Sequence, residues 1–283
     1  MSPDGYIVGG SRCVPQTRPL SKGSFMRILI SALLLVPAVA LASSAFDGTW
    51  KGRVDSVKVT GKPNVFVIAE GTYTCTSCNP EIKIKADGAD HAVTGHDYYD
   101  SVAVKIVDAT TVERTNKMAG KVTGTSSMTV SADGSTLSGK FTDYTGEKPA
   151  SFAYTEKRVA AAKAGAHATS GSWQQDKMND ANDALTIVTY EMTGDHFSMN
   201  ANGQSYNAKF DGQEYPVTGD PGHTVVSLKR IDDNTVVETD RRKGKVTDEI
   251  RLAASKDGKT VDVTDKDLVR GQTMTYTLEK QKQ

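Results

Sequence analysis

Short runs of apolar and threonine residues alternate with turn residues from residue 64 to the end of the chain. In the last run, Met274, Tyr276 and Leu278 alternate with threonines, as expected for a strand with one buried face and one face in water. Pairs such as Asn202-Gly203 separate the runs, because Asn and Gly tolerate the positive φ of a hairpin turn. The pattern predicts an all-β protein of short antiparallel strands, in which Val159 to Ala168 is the one weak candidate for a helix.

The strand pattern occurs twice along the chain. Residues 85–143 align with residues 209–267 without a gap at a constant offset of 124, and 21 of the 59 aligned positions are identical. A duplication of this kind predicts two homologous domains. Each copy has about eight predicted strands, which suits a small antiparallel meander barrel or sandwich.

Each copy opens on the same short motif. Gly48-Thr49-Trp50 begins the first copy and Gly171-Ser172-Trp173 begins the second. We interpret each tryptophan as a large apolar plug that closes one end of a β core, and a ligand-stacking platform is the alternative. The predicted segments are an upstream extension at 1–25, a signal peptide at 26–42, a first barrel at 46–158, a linker at 159–169 and a second barrel at 170–281.

The segment that starts at Met26 has the form of a secretory signal peptide. It carries one positive charge, an apolar run from Ile28 to Leu41, and the small residues Ala40 and Ala42. The run is shorter than a comfortable membrane span, so we expect cleavage after Ala42, or after Ala45, and no membrane-embedded segment in the mature chain. The predicted location is the periplasm or the exterior of a bacterial cell.

The charge balance argues against a nucleic-acid partner. The whole chain has 34 basic and 34 acidic residues, and the first 42 residues contain four basic residues and one acid. The remainder therefore holds 30 basic and 33 acidic residues, a net charge of about −3, which offers no basic face to nucleic acid or anionic lipid. The mature part has no G-x-S-x-G, H-E-x-x-H, P-loop or dinucleotide-binding motif, so we predict no enzymatic activity, no catalytic residues and no cofactor.

Cys75 and Cys78 form a C-x-x-C pair that only the first copy has. The offset places Cys78 at Asn202, which begins a predicted hairpin turn of the second copy. Cysteines three apart on an extended strand are about 10 Å apart at the backbone, too far for a disulfide, whereas a turn brings them within reach. In an exported protein this favours a Cys75–Cys78 disulfide, and Cys13 takes no part because it precedes the signal peptide.

Two other interpretations of the pair stay open. Cys75, Cys78, His91 and His96 fit the spacing C-x2-C-x12-H-x4-H of a zinc site. The segment that would form the helix of a zinc finger contains two glycines and aligns with strands, but ligands that converge on a β scaffold could still hold zinc. A thiol–disulfide oxidoreductase would need the pair at the start of a helix, which the pattern does not predict. We therefore predict a disulfide and no metal ligand.

The polar loop His96 to Asp100 is the other dense cluster of candidate residues. It could line a barrel mouth, but a tyrosine that pins the loop is the favoured interpretation. The pair Arg241-Arg242 has the form of solvated turn charges.

The Gly-X-Trp openings, the hairpin order of the strands and the basic residue after the last strand resemble lipocalin-type, or calycin, barrels. The segments DGQEYPVTG, SLKRIDDNTVVET and SKDGKT of the second copy also resemble a family of secreted bacterial proteins of uncharacterised function. The resemblance implies a small, apolar molecule bound in the mouth of a barrel. We therefore hypothesise an exported, non-enzymatic binding protein for a small, partly apolar ligand. The alternatives are a structural or protein-interaction module of the cell envelope, and a metal or redox site in the first copy.

Overall fold

Twenty-one β-strands dominate residues 44–282, the part of the chain that a computed structural model describes. The upstream extension, the predicted signal peptide and Cys13 lie outside the described residues. Two short helical segments interrupt the strands, a 3₁₀ turn at Val54–Ser56 and a single α-helical turn, α1, at Asp183–Thr186. No helix among residues 44–282 is long and apolar enough to cross a bilayer.

The strands follow one another at short intervals, as the alternation predicts. In chain order they are β1 (Gly48–Gly52), β2 (Lys58–Gly61), β3 (Asn64–Ala69), β4 (Thr72–Cys75), β5 (Ile82–Lys85), β6 (His91–Ala92), β7 (Ser101–Ile106), β8 (Thr111–Met118), β9 (Lys121–Val130), β10 (Thr136–Asp143), β11 (Ala150–Ala161), β12 (Gly171–Ala181), β13 (Ile187–Thr193), β14 (His196–Ala201), β15 (Gln204–Lys209), β16 (Tyr215–Pro216), β17 (Val225–Asp232), β18 (Thr235–Arg242), β19 (Lys245–Ala254), β20 (Thr260–Asp267) and β21 (Gln272–Lys280).

These strands form two nearly closed antiparallel barrels. The first barrel has the strand order β5-β4-β3-β12-β11-β10-β9-β8-β7-β6. The second barrel has the order β15-β14-β13-β1-β21-β20-β19-β18-β17-β16, and β2 adds to β21. The predicted fold class is confirmed, although each order contains ten strands instead of about eight. One reason is that the run from Asn64 to Thr76 forms two strands, because Glu70 and Gly71 reverse the chain at φ 50° and 70°.

The two copies exchange their first strands. β1, which carries Trp50, pairs with β13 and β21, and Trp50 lies opposite Val188 of the second copy. β12, which carries Trp173, pairs with β3 and β11, and Trp173 lies opposite Asn64 of the first copy. The predicted domain boundaries therefore describe the repeats along the chain, whereas the first barrel is completed by β12 of the second repeat and the second barrel by β1 and β2 of the first.

The equivalence of the two copies explains why the exchange is sterically acceptable. β1 and β12 begin with the same Gly-X-Trp motif, and each inserts between a pair of strands that occupies the same place in its own copy. The chain crosses from the second barrel to the first at Lys62-Pro63, directly after β2. A residue that precedes proline favours an extended conformation, which suits a crossing segment.

Both tryptophans are fully buried, in agreement with the predicted plugs. Each indole N–H donates to the carbonyl oxygen four residues earlier, at 2.8 Å for Trp50 and 2.9 Å for Trp173. Lys280 lies over the Trp50 ring, and Arg158 lies 4.0 Å from the Trp173 ring centroid. Neither ring is therefore exposed for stacking on a ligand.

The predicted linker at 159–169 contains no helix. β11 continues to Ala161, and a turn then leads into β12. The guanidinium of Arg158 donates to the carbonyl oxygens of Ala168 and Ser170, which fixes the turn in a non-helical path. The suggested short helix is wrong for this reason.

Candidate functional site

The inner face of the second barrel changes from apolar to polar along its strands. On β18, Val236 is fully buried and Glu238 is 7% exposed, whereas Asp240 and Arg242 are partly exposed. Alternate residues of a strand share a face, so all four line the interior. The end near Trp50 is closed and apolar, and the opposite end is lined by polar side chains, a region that we name the cup.

Four carboxyl groups meet in this cup, and we name Glu238, Asp240, Asp248 and Asp265 the acidic cluster. Asp240 and Asp248 are directly opposite each other on β18 and β19, and Asp265 lies on the adjacent strand β20. Like charges in opposed positions destabilise a sheet. Arg242 offsets part of this repulsion, with its Nη2 atom 3.5 Å from Asp248 Oδ2.

Three tyrosines surround the acidic cluster on the apolar side. The hydroxyl of Tyr206 donates to Glu238 Oε2. Burial raises the pKa of Tyr190, Tyr206 and Tyr276, and the nearby carboxyl groups raise it further. The three phenols are therefore neutral at ordinary pH. Their ring faces can attract a cation.

Two oxygens of the acidic cluster have no hydrogen-bond partner. Asp240 Oδ1 and Asp265 Oδ1 are both buried and have no hydrogen-bond partner among residues 44–282, although the Asp240 carboxyl shares a hydrogen bond with that of Glu238. A buried polar atom without a partner costs about 1–3 kcal/mol. Such atoms are rare in folded proteins and require an explanation, of which a missing ligand is one.

The cluster also holds protons more tightly than isolated carboxyl groups. Burial raises the pKa of Asp265 to about 7, and the charges of Asp248 and Asp267 contribute. Burial likewise raises the pKa values of Glu238 and Asp240, and the adjacent carboxyl of Glu238 raises that of Asp240 further. Near neutral pH the acidic cluster therefore retains protons that a bound cation could displace.

The first barrel has a different inner face at the same level. At the offset of 124, the acidic cluster Glu238, Asp240, Asp248 and Asp265 corresponds to Arg114, Asn116, Gly124 and Phe141. One copy thus presents carboxyl groups where the other presents a guanidinium, an amide, a glycine and an aromatic ring. The apolar ends of the two barrels differ less in side-chain chemistry, because a tryptophan closes both of them.

Sequence reasoning missed the acidic cluster, because a charged residue on a strand is more often solvated than buried. The available signal was the alternation of β18, in which Glu238 and Asp240 continue the face of Val236. The substitution of Arg114 by Glu238 at the repeat offset was a second signal. Arg242, predicted as a solvated turn charge, is instead directed toward the cup, and its side chain is 21% exposed.

Cys75 and Cys78 form the predicted disulfide, with their Cα atoms 5.4 Å apart. Cys75 is the last residue of β4, and Cys78 lies in the turn that follows. Cys75 is 4% exposed and packs in the core of the first barrel. The disulfide prediction is confirmed, and the turn provides the short separation that a disulfide requires.

The structure does not assemble the alternative zinc site from these residues. Both cysteines are oxidised, so neither offers a thiolate. His91 Nε2 is hydrogen-bonded to Asp87 Oδ1 at 2.8 Å, and His96 stacks on Tyr99. Within residues 44–282, no group of three or more His, Cys, Asp or Glu side chains could hold a metal ion. The redox interpretation lacks its helix, since β4 precedes the pair and β5 follows it.

Replacing both Cys75 and Cys78 by alanine is expected to lower the free energy of unfolding by about 2 kcal/mol, because the disulfide closes only a small loop in the unfolded chain. Urea unfolding of the wild type and the double variant measures this difference. A reductant should lower the stability of the wild type to that of the variant and leave the variant unchanged. Equal stability of the oxidised and fully reduced wild type would contradict the prediction.

The loop from His96 to Asp100 contacts the rim of the second barrel. Tyr98 lies against Arg242, whose guanidinium carbon is 5.2 Å from the ring centroid, and Asp97 Oδ1 pairs with Lys243 Nζ at 2.8 Å. Burial raises the pKa of Tyr98 to about 12. These contacts agree with a tyrosine that pins the loop.

Two open clefts lie away from the acidic cluster. One, of about 580 Å³, is lined by Tyr144, Glu147 and Pro149, and the other, of about 500 Å³, is lined by Ala109 and His167 among others. Neither cleft includes a residue of the cluster or a partnerless polar atom. Their chemistry is therefore less specific than that of the cup.

Comparison with known proteins adds nothing to the fold and the interior chemistry described above. The two barrels repeat one strand order, and their polar cups differ in charge. No protein-family model, curated protein or solved structure matches the chain.

Proposed function

We propose that the protein is an exported, non-enzymatic binding protein for a small, partly apolar ligand that carries a cationic group. The ligand binds in the cup of the second barrel. The observation that supports this proposal is the pair of buried, partnerless oxygens Asp240 Oδ1 and Asp265 Oδ1. Export is inferred from the signal peptide predicted at 26–42.

A cationic ligand fits the chemistry of the cup better than a neutral or anionic one. An ammonium group has hydrogen-bond donors and a positive charge, and the two partnerless oxygens are acceptors. The rings of Tyr190 and Tyr276 supply faces that attract a cation. Below them, fully buried Val236 and Val261 form an apolar floor that suits the hydrocarbon part of the ligand.

Binding of a cation should release protons from the acidic cluster. A positive charge beside Asp240 and Asp265 favours their ionised forms, so it lowers pKa values that burial has raised. Arg242 is the resident cation at the rim, and it opposes a second positive charge only weakly because Asp248 pairs with it. Calorimetry in buffers of different ionisation enthalpy would measure the released protons.

The test uses 4-phenylbutylamine as the probe and 4-phenylbutanol as its neutral analogue. Binding of the amine to the mature chain should shift the amide NMR signals of β18, β19 and β20, and the alcohol should bind at least tenfold more weakly. Asp265→Asn should weaken amine binding at least tenfold, as expected for one lost charge-assisted hydrogen bond. Asp262→Asn is the matched control, because Asp262 is exposed on the other face of β20.

Three outcomes would contradict the proposal. The amine and the alcohol could bind equally, the shifts could lie outside the second barrel, or Asp265→Asn could bind the amine as the wild type does. Complete absence of amine binding would instead favour the second candidate function, a structural or protein-interaction module of the envelope. The observation that favours this second candidate is the strand exchange, which joins the two copies in a single unit.

A further inference from the structure

Arg114 projects into the first barrel. It lies on β8 two residues after Val112, which is fully buried, so the two side chains share the inner face. Its cross-strand neighbours are Val104, also fully buried, and Ser126. A guanidinium at this position is held over an apolar core and is only partly exposed.

The guanidinium has no carboxylate partner among residues 44–282. Its Nε atom donates to the amide oxygen of Asn116 at 2.9 Å, and the hydroxyl of Tyr73 is another polar neighbour. The buried carboxyl of Glu156 does not serve as a counter-ion, because it accepts a hydrogen bond from Asn64 at 2.6 Å and burial raises its pKa. An arginine has five N–H donors in a planar fork, so the hydrogen bonds with Asn116 and Tyr73 leave donors for a further acceptor.

A second unsatisfied group lies beside Arg114. His96 stacks on the Tyr99 ring with the centroids 4.5 Å apart, and Arg114 lies 5.4 Å from the centroid of the same ring. His96 Nε2 is buried and has no hydrogen-bond partner. Burial and the charge of Arg114 lower the pKa of His96, which leaves the ring neutral and able to donate from Nε2 in one tautomer.

The surroundings of these two groups are aromatic. Phe141 packs on Phe152, and Phe152 packs on Tyr154, with ring centroids 5.6 Å and 5.7 Å apart. These side chains belong to β10 and β11, on the inner face that continues from Leu137. An apolar wall beside a guanidinium matches a molecule with a hydrocarbon part and a terminal anion.

We infer that the first barrel contains a second binding site, for a small aromatic or aliphatic carboxylate, in which Arg114 and His96 hold the carboxylate group. Arginine and a carboxylate form paired, charge-assisted hydrogen bonds. The second barrel has Glu238 at the position of Arg114, so it lacks the guanidinium that would hold the same ligand. This inference does not depend on the cation site, because the two sites lie in different barrels.

The experiment uses 4-phenylbutyrate with the mature chain, and the neutral 4-phenylbutyramide as its control. The carboxylate should shift the amide NMR signals of β7, β8 and the loop that contains Tyr99, and it should bind at least tenfold more tightly than the amide. Arg114→Gln should weaken carboxylate binding at least tenfold. Lys140→Gln removes an exposed positive charge from the outer face of β10 and should leave binding unchanged.

The results that would overturn the inference are equal binding of the carboxylate and the amide, shifts confined to other regions, absence of binding, or full affinity in Arg114→Gln. If Arg114→Gln does not fold, the comparison of carboxylate with amide on the wild type decides alone. The amine probe tests the second barrel independently, since the amide NMR signals that it should shift belong to β18, β19 and β20. Either of the two proposed sites can therefore be contradicted by its own test without affecting the other.

Discussion

Replacing Trp173 by alanine destabilises the first barrel, although Trp173 belongs to the second copy of the repeat. The expected loss is about 3–5 kcal/mol, because a fully buried tryptophan side chain leaves a large cavity. The indole N–H bond to Thr169 O and the contact with Arg158 are lost as well. Hydrogen exchange followed by NMR measures the effect strand by strand, and protection should fall first in β3, β11 and β12.

Trp50→Ala is the matched control for this prediction. It removes the same side chain from the same motif, but Trp50 lies in the core of the second barrel. Protection should therefore fall first in β13 and β21. If each substitution instead weakened the barrel of its own repeat, the exchanged strand order would be wrong.

Replacing both Asp240 and Asp265 by asparagine should make the protein more stable than the wild type at about pH 8, by on the order of 3 kcal/mol. Burial raises the pKa of Asp265 from 3.8 to about 7, so the folded state keeps a proton that the unfolded state has released. Burial and the Glu238 carboxyl raise the pKa of Asp240 to about 9, so the wild type loses stability as pH rises between about 4 and 9. At about pH 8 each carboxyl contributes about 1.5 kcal/mol after solvent screening. Asparagine resembles the protonated acid and cannot ionise.

Urea unfolding at several pH values measures this effect as the difference between the variant and the wild type. The two proteins should have similar stability at about pH 4, and the difference should grow as pH increases to about 9, the pKa of Asp240 in the folded state. Asp262→Asn, on the exposed face of β20, should show no such growth. A difference that is constant with pH, or largest in acid, would show that the cluster does not hold protons in the folded state.

The local features of the fold could be predicted because each depends on nearby residues. Alternation in the run that contains Tyr276 identified a strand. The pair Asn202-Gly203 predicted a turn, and both residues have a positive φ in the structure. The same logic placed Cys78 in a turn and so predicted its disulfide with Cys75. These predictions do not require the order of the strands in the two sheets.

The exchange of first strands could not be predicted in this way. β1 has the same motif as β12, so its local sequence is compatible with either barrel. Only the paths of the two crossing connections, at Lys62-Pro63 and at α1 between β12 and β13, distinguish the two arrangements, and those paths depend on tertiary packing. The cups were missed for a related reason: a charged residue on a strand is usually solvated, and the two signals against this were the alternation of β18 and the repeat offset between Arg114 and Glu238.

The exchanged strands also affect what a break in the chain would do. The loop between β11 and β12 contains Gly165, which is exposed, and cleavage there would produce two polypeptides. The amino-terminal piece would still contribute β1 to the second barrel, and the carboxyl-terminal piece would still contribute β12 to the first. The two pieces would therefore remain interlocked through their own strands. One proteolytic cut in this loop would therefore nick the molecule without dividing it.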